Sequence, residues 1–164
     1  MSTRIIGFGN TILSDDGVGI YAAREISRRL GHADGRTALD VVESEVAGFA
    51  LMELLAGCRR AILVDSIQFD NLEPGTVVRI DPQDLRTSLR LRSVHEIDLP
   101  TVLALGRHLG LPMPEEVTIF GIQAEDACTF GESLSASVTS GMQKAVEMIL
   151  AEVESQGQAT QPRN

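Results

Sequence analysis

Asp15, Asp16, Asp65 and His95 are the residues of this 164-residue chain whose types and settings could do chemistry together. Asp15 and Asp16 are adjacent and follow a Gly7-Phe8-Gly9-Asn10 turn at the end of a short apolar run. Strand-to-helix turns of this kind ordinarily hold phosphate, because free backbone N–H groups and the helix dipole attract anions. Two carboxylates there repel a phosphate and attract a cation instead. Asp65 closes the run Ala61-Ile62-Leu63-Val64, where a carboxylate is costly to desolvate without a partner or a cation. His95 stands in an aperiodic stretch beside Glu96 and Asp98. Two carboxylates and an imidazole suit a borderline divalent metal such as nickel or zinc, with positions left open for substrate.

Each residue also has a plainer reading. Asp65 can serve as a helix N-cap, and a carboxylate in a first helical turn, as Asp15 or Asp16 would be, is favoured by the dipole alone. His95 can be a solvated loop histidine. Asn10 can orient a loop or donate to a carbonyl, or it can be a turn residue of the kind that tolerates left-handed backbone. Order along the chain does not bring Asp16, Asp65 and His95 together; the fold must.

The pattern of elements supplies a way to do so. Residues 4–9 read as a buried strand, and Val18, Ala22, Ile26 and Leu30 mark one face of a helix that stops at Gly31. Leu39, Val41 and Val42 predict a second strand, and 46–55 a helix ending near Gly57. Ala61 to Val64 has the continuous apolar character of a central parallel strand. Glu73-Pro74-Gly75 predicts a turn before a β-rich stretch at 76–80, and 84–97 is polar and basic without a period. Leu99, Val102, Leu103 and Leu109 predict a helix, with Pro100 tolerated in its first turn. A last strand at 117–120 ends at Gly121, and Val138, Met142, Ala145, Val146, Ile149 and Val153 form a long helix face. This alternation predicts an α/β fold, a three-layer α/β/α sandwich with a mostly parallel sheet of about five strands. Such sheets carry their sites at the carboxyl ends of the strands beside a topological switch point. Both Asp16 and Asp65 can reach that rim.

Composition bounds the rest. The chain reads as a single domain, residues 1–154, with a disordered tail at 155–164. Apolar content of 43% and charged content of 23% are ordinary for a globular protein. A net charge of −9 argues against binding to nucleic acid or an anionic membrane, and no run is long enough to span a bilayer. Cys58 and Cys128 have no paired spacing, which points to free thiols and a cytoplasmic setting. His32 and His108 read as surface residues.

Rival motifs are weak. Gly7-Phe8-Gly9 lacks the third glycine of a dinucleotide fingerprint, since position 12 is Ile. There is no GxxxxGK[ST], and Ser44, Ser66 and Ser133 lack GxSxG surroundings. A nucleotide-binding domain therefore ranks low, because Asp15 and Asp16 hold the phosphate position. A non-enzymatic metal-binding or regulatory module on the same fold stays open on these residues alone.

The segment GFGNTILSDDGVG closely resembles the N-terminal signature of the hydrogenase maturation endopeptidases, which trim the C-terminal extension from the large subunit of nickel–iron hydrogenases. The resemblance continues through ILVDSI, PGTVVRIDP, SVHEIDLP, IFGIQ and LSASV, covering about residues 4–150 in order. It implies an α/β sandwich with helices on both sides of a twisted sheet. It also implies that Asp16, Asp65 and His95 form a metal-binding trio through which catalysis runs; Asn10 and Asp15 stand beside them as secondary candidates on the residue reading above. The metal implied is the nickel carried by the precursor, with no resident cofactor, and the partner is that large-subunit precursor, met by a monomer. Two features depart from the family pattern. Many relatives have Glu where this chain has Asp16, which keeps the charge and shortens the reach. Many also have a glycine-rich segment after the second strand, where this chain reads VVESEVAG and leaves Gly48 as the counterpart.

Overall fold

The computed structural model describes residues 2–31, 39–46, 49–82 and 99–159. Strand β1 (Thr3–Phe8) leads through a 3-10 turn (Ser14–Gly17) into helix α1 (Val18–Leu30). Strand β2 (Leu39–Ser44), helix α2 (Ala50–Leu55), strand β3 (Arg60–Ile67) and strand β4 (Val77–Ile80) follow. The chain then forms helix α3 (Leu99–His108), strand β5 (Glu116–Gln123) and helix α4 (Ala136–Ala159).

The five strands lie in the order β2-β1-β3-β5-β4. All neighbours are parallel except β4, which runs antiparallel along the edge against β5. Hydrophobic burial explains the order. Every residue of β3 is buried, as a strand covered on both faces must be, and it takes the centre between β1 and β5. Alternate residues divide the two cores. Ile5, Ile62, Val64, Phe120 and Ile122 pack with Val18, Ile26, Val146 and Ile149 of α1 and α4. Ile6, Leu63 and Ile119 pack on the other face with Met52, Leu55, Val102 and Leu103 of α2 and α3. Helices thus cover both faces, giving the expected three layers.

Several boundaries differ from the sequence reading. Strand β3 continues past Asp65, because Ser66 and Ile67 still pair with Ile122 and Gln123 of β5. Asp65 is therefore inside a strand, which rules out a helix N-cap. Helix α2 begins at Ala50 rather than near Val46. Strand β5 runs two residues beyond Gly121. Helix α4 extends to Ala159, past the Ser155 expected to open a disordered tail. His32, the VVESEVAG residues Ala47 and Gly48, and His95 lie outside the described residues. Among the described residues, no helix is long and apolar enough to cross a membrane.

Candidate functional site at the carboxyl edge of the sheet

Strand β1 pairs with β2 on one side and β3 on the other, so the chain reverses its direction of travel across the sheet between β1 and β3. A crevice opens at such a point. The turn leaving β1 is made for close approach. Gly9 has φ 142°, and a side chain there would collide with the Asp16 carbonyl. Gly19 in the first turn of α1 lies against the carbonyls of Phe8 and Val64, where a methyl would not fit. The helix thereby sets its N-terminal end directly on β1 and β3.

Asp16 comes out of this turn half-buried at the rim. Its Oδ2 accepts the Asn10 N–H at 3.1 Å, and its Oδ1 accepts the Ser66 hydroxyl at 3.2 Å. Ser66 also donates its backbone N–H to Oδ1 of Asp65 at 2.8 Å. One buried serine therefore joins the two carboxylates, and Asp65 is only 7% exposed. Within β3, Asp65 alternates with Leu63 toward the face of α2 and α3, whereas Ser66 follows Val64 toward α1. His95 lies outside the described residues. Among the described residues, no group of three His, Cys, Asp or Glu side chains gathers to hold a metal.

Asp15 points elsewhere. It is 1% exposed, and its carboxylate accepts the backbone N–H groups of Glu125 and Asp126 at 3.0 Å and of Ser135 at 2.7 Å. The Ser135 hydroxyl adds a fourth bond at 3.0 Å. The Asp15 N–H in turn donates to the Asp126 carbonyl at 2.9 Å. Asp15 is thus a clasp between the β1–α1 turn and the crossover from β5 to α4. A short parallel bridge reinforces it: Gly131 donates to the Ile12 carbonyl at 3.0 Å and accepts from the Ser14 N–H at 2.8 Å. Asp126 shapes the same crossover by accepting the N–H groups of Cys128 and Thr129. Its hydrogen bonds with Thr129 and the Cys128 amide hold its carboxyl below the usual carboxylate range.

Asn10 lies in the β1–α1 turn. Its side-chain oxygen accepts the Ile12 N–H at 3.1 Å and its carbonyl accepts the Leu13 N–H. The left-handed position falls instead on Ser14, with φ 51°. Sequence reasoning missed Ser66 as the link between the two carboxylates; its place directly after Asp65 at a strand end was the available signal. It also missed Ser135, although that residue lies in the LSASV segment.

A cavity of about 700 Å³ opens at the other end of the strands, between Arg60, Arg79, Arg107 and Glu116. Two of its arginines are in ion pairs, Arg79 with Glu152 at 3.1 Å and Arg60 with Glu116 and Glu152. The strands present their paired carboxylates at the opposite edge, so the carboxyl edge is the better candidate for chemistry.

The profile of the hydrogenase maturation protease family, HycI, matches residues 20–152. The chain belongs to this family. The match begins just beyond Asp16 and takes in β2 to α4. Among individual relatives, this maturation protease is 29% identical over 161 residues to the hydrogenase expression/formation protein HupD of Rhizobium leguminosarum bv. viciae, covering 97% of this chain and 77% of that protein. It is 24% identical to the hydrogenase 2 maturation protease of Escherichia coli, covering 99% and 97% of the two chains. Its structure is similar to that of the hydrogenase maturating endopeptidase HybD from E. coli, with a TM-score of 0.79 at 25% identity over 96% of this chain and 94% of that one. The [NiFe] hydrogenase maturation protease HybD from Thermococcus kodakarensis matches with a TM-score of 0.70 at 28% identity, covering 93% and 99%. The expected fold, family and peptidase class are those found.

Proposed function

We propose that this maturation protease removes the C-terminal extension of a nickel–iron hydrogenase large-subunit precursor once nickel is in place, and that Asp16, Asp65 and His95 hold that nickel. The observation that carries the reading is the Asp16–Ser66–Asp65 junction in the crevice between β1 and β3. Two carboxylates joined through one buried serine offer a fixed, negatively charged edge to a cation brought in by the substrate. An imidazole from the stretch before α3 would complete a borderline set with positions left for the precursor's own ligands. Asp16 is shorter by one methylene than the glutamate of many relatives. Its bonds to Asn10 and Ser66 compensate by fixing its direction.

The enzyme's contribution is orientation. Nickel held by both proteins docks the precursor's tail in the crevice, and a water attacks the scissile carbonyl, activated by the metal or by one of the carboxylates. The amine of the departing tail takes up a proton as the C–N bond breaks. Holding peptide and water together supplies several kcal/mol of the rate through effective concentration, on the order of the gains measured for intramolecular reactions. The protease needs no resident cofactor and acts as a monomer in the cytoplasm, with no nucleic-acid partner, in keeping with its net charge of −9.

The test is cleavage of the precursor with and without nickel, read as a loss of mass. The loaded precursor is shortened and the nickel-free one is not. Asp65→Ala remains folded and loses about 100-fold or more in rate. Equal cutting of both forms removes the role given to nickel, and full activity in Asp65→Ala removes the role given to the carboxylate.

A further inference from the structure

We infer that Gln123 is a positioning residue for cleavage: its side-chain amide secures the end of β3 on which Asp65 and Ser66 sit. The inference rests on the reading above and adds what keeps the two-carboxylate junction in place. Strand β1 pairs with β3 only as far as Val64, so among the described residues Asp65, Ser66 and Ile67 have a strand neighbour on one side, β5. A strand end held along one edge is prone to open locally. The backbone ladder closes there with the Ala124 N–H donating to the Ile67 carbonyl at 2.9 Å. Gln123, opposite Ile67 in the register, then adds a further rung with its side chain. Its Oε1 accepts the Phe69 N–H at 2.9 Å, and its Nε2 donates to the Phe69 carbonyl at 3.1 Å.

The same residue holds the returning limb of the connection. The Gln123 N–H donates to the Thr76 carbonyl at 2.9 Å, and its carbonyl accepts the Gly75 N–H at 2.8 Å. The returning limb has a second anchor in α4: Gly75 lies against the Ser137 carbonyl and Gly141 against the Gly75 carbonyl, with no room for a side chain at either glycine. The outgoing limb is joined by the Gln123 amide at Phe69, three residues beyond Ser66, whose N–H and hydroxyl reach Asp65 and Asp16. Gln123 is only 6% exposed, so its amide makes these bonds away from water, where an unmatched partner is costly. Glutamine suits the place because one side-chain amide offers donor and acceptor together, as a peptide group does. Holding the exit of β3 keeps Ser66 on both carboxylates. Loss of the amide is therefore felt in the chemical step rather than in docking of the precursor.

The experiment compares the full-length wild type with Gln123→Met and Gln123→Glu. Both replacements are close to glutamine in length, and each removes the donor to the Phe69 carbonyl with little change of shape. It measures kcat and KM on the nickel-loaded precursor, and amide hydrogen exchange by NMR in the protease alone. Melting temperatures, taken first, set an assay temperature at which the proteins are folded. Both variants are expected to lower kcat about tenfold while KM stays within about twofold. The N–H groups of Ser66 and Phe69 exchange faster by a larger factor than those of Ile5 and Ile62 in the sheet centre. An unchanged kcat in either variant, a loss confined to KM, or an equal change of exchange throughout the sheet overturns the positioning role. Failure of both variants to fold overturns it too, in favour of a purely structural one. A wild type that cuts loaded and nickel-free precursor alike, with kcat reduced in the variants, removes the role given to nickel and leaves Gln123 its place. A wild type that cuts neither form overturns the proposed function; faster exchange centred on Ser66 and Phe69 then upholds the clamp on β3, and uniform exchange overturns that as well.

Discussion

Removing the Asp15 carboxylate would strip an acceptor from three backbone N–H groups and a serine hydroxyl at once. Buried donors left without partners cost about 1–3 kcal/mol each, less where relaxation or water restores a bond. Asp15→Ala is therefore expected to lower stability by about 3 kcal/mol, seen as an earlier midpoint in urea. Asp15→Asn, which keeps one oxygen, loses less. An undiminished midpoint in Asp15→Ala would mean that the clasp is incidental. Asp16, one residue later, spends its oxygens on Asn10 and Ser66 at the rim. The two neighbours are the same amino acid, so nothing in the pair itself tells which one faces the crevice. The side-chain partners are more than 100 residues away for Asp15, and Ser66 is 50 residues from Asp16, so only the packed sheet supplies them. The carboxylates worth watching were legible; their division of labour was not.

Helix α1 carries its own local stabilisation on the solvent side. Glu25 accepts two bonds from Arg28 and one from Arg29, at 2.7–2.8 Å. Bonds to Arg28 first, then Arg29, lower its pKa to about 2. A depressed folded-state value means that the stabilisation is complete above the unfolded carboxylate's pKa of about 4.3 and fades as pH falls from there toward 2. Glu25→Gln is thus expected to melt slightly below the wild type at pH 7, with the gap closing between pH 5 and pH 2. A gap independent of pH would assign the loss to packing instead. The helix itself was readable because its apolar residues recur at steps of four on one face, and β1 and β3 because buried parallel strands read as continuous apolar runs. Boundaries were less legible where hydrogen bonding outlasts hydrophobicity. Strand β3 continues through Asp65 because β5 goes on pairing with it.

The two cysteines report on the molecule as a whole. Cys128 is exposed on the crossover, whereas Cys58 lies buried in the core against α2, where burial pushes its thiol pKa up. A neutral reagent is expected to modify one thiol rapidly in the native protein and the second only at the rate of global opening. Prompt modification of both would show that the α2 layer opens on its own. Charge is also arranged at this scale, with Arg4, Arg59 and Arg60 and their acidic partners at one end of the strands and Asp16 and Asp65 at the other. The layers follow from the alternation of elements, but the strand order and this polarity need the fold, since they join segments far apart in sequence. The clasp has the same property. Residues 125–135 must be in place before the Asp15 carboxylate finds its donors, and they lie 110–120 positions downstream. While the chain is being synthesised, the acidic turn emerges early and waits unsecured until the last crossover arrives. The β1–α1 turn is therefore expected to take its clasped form only after Ser135 has been made.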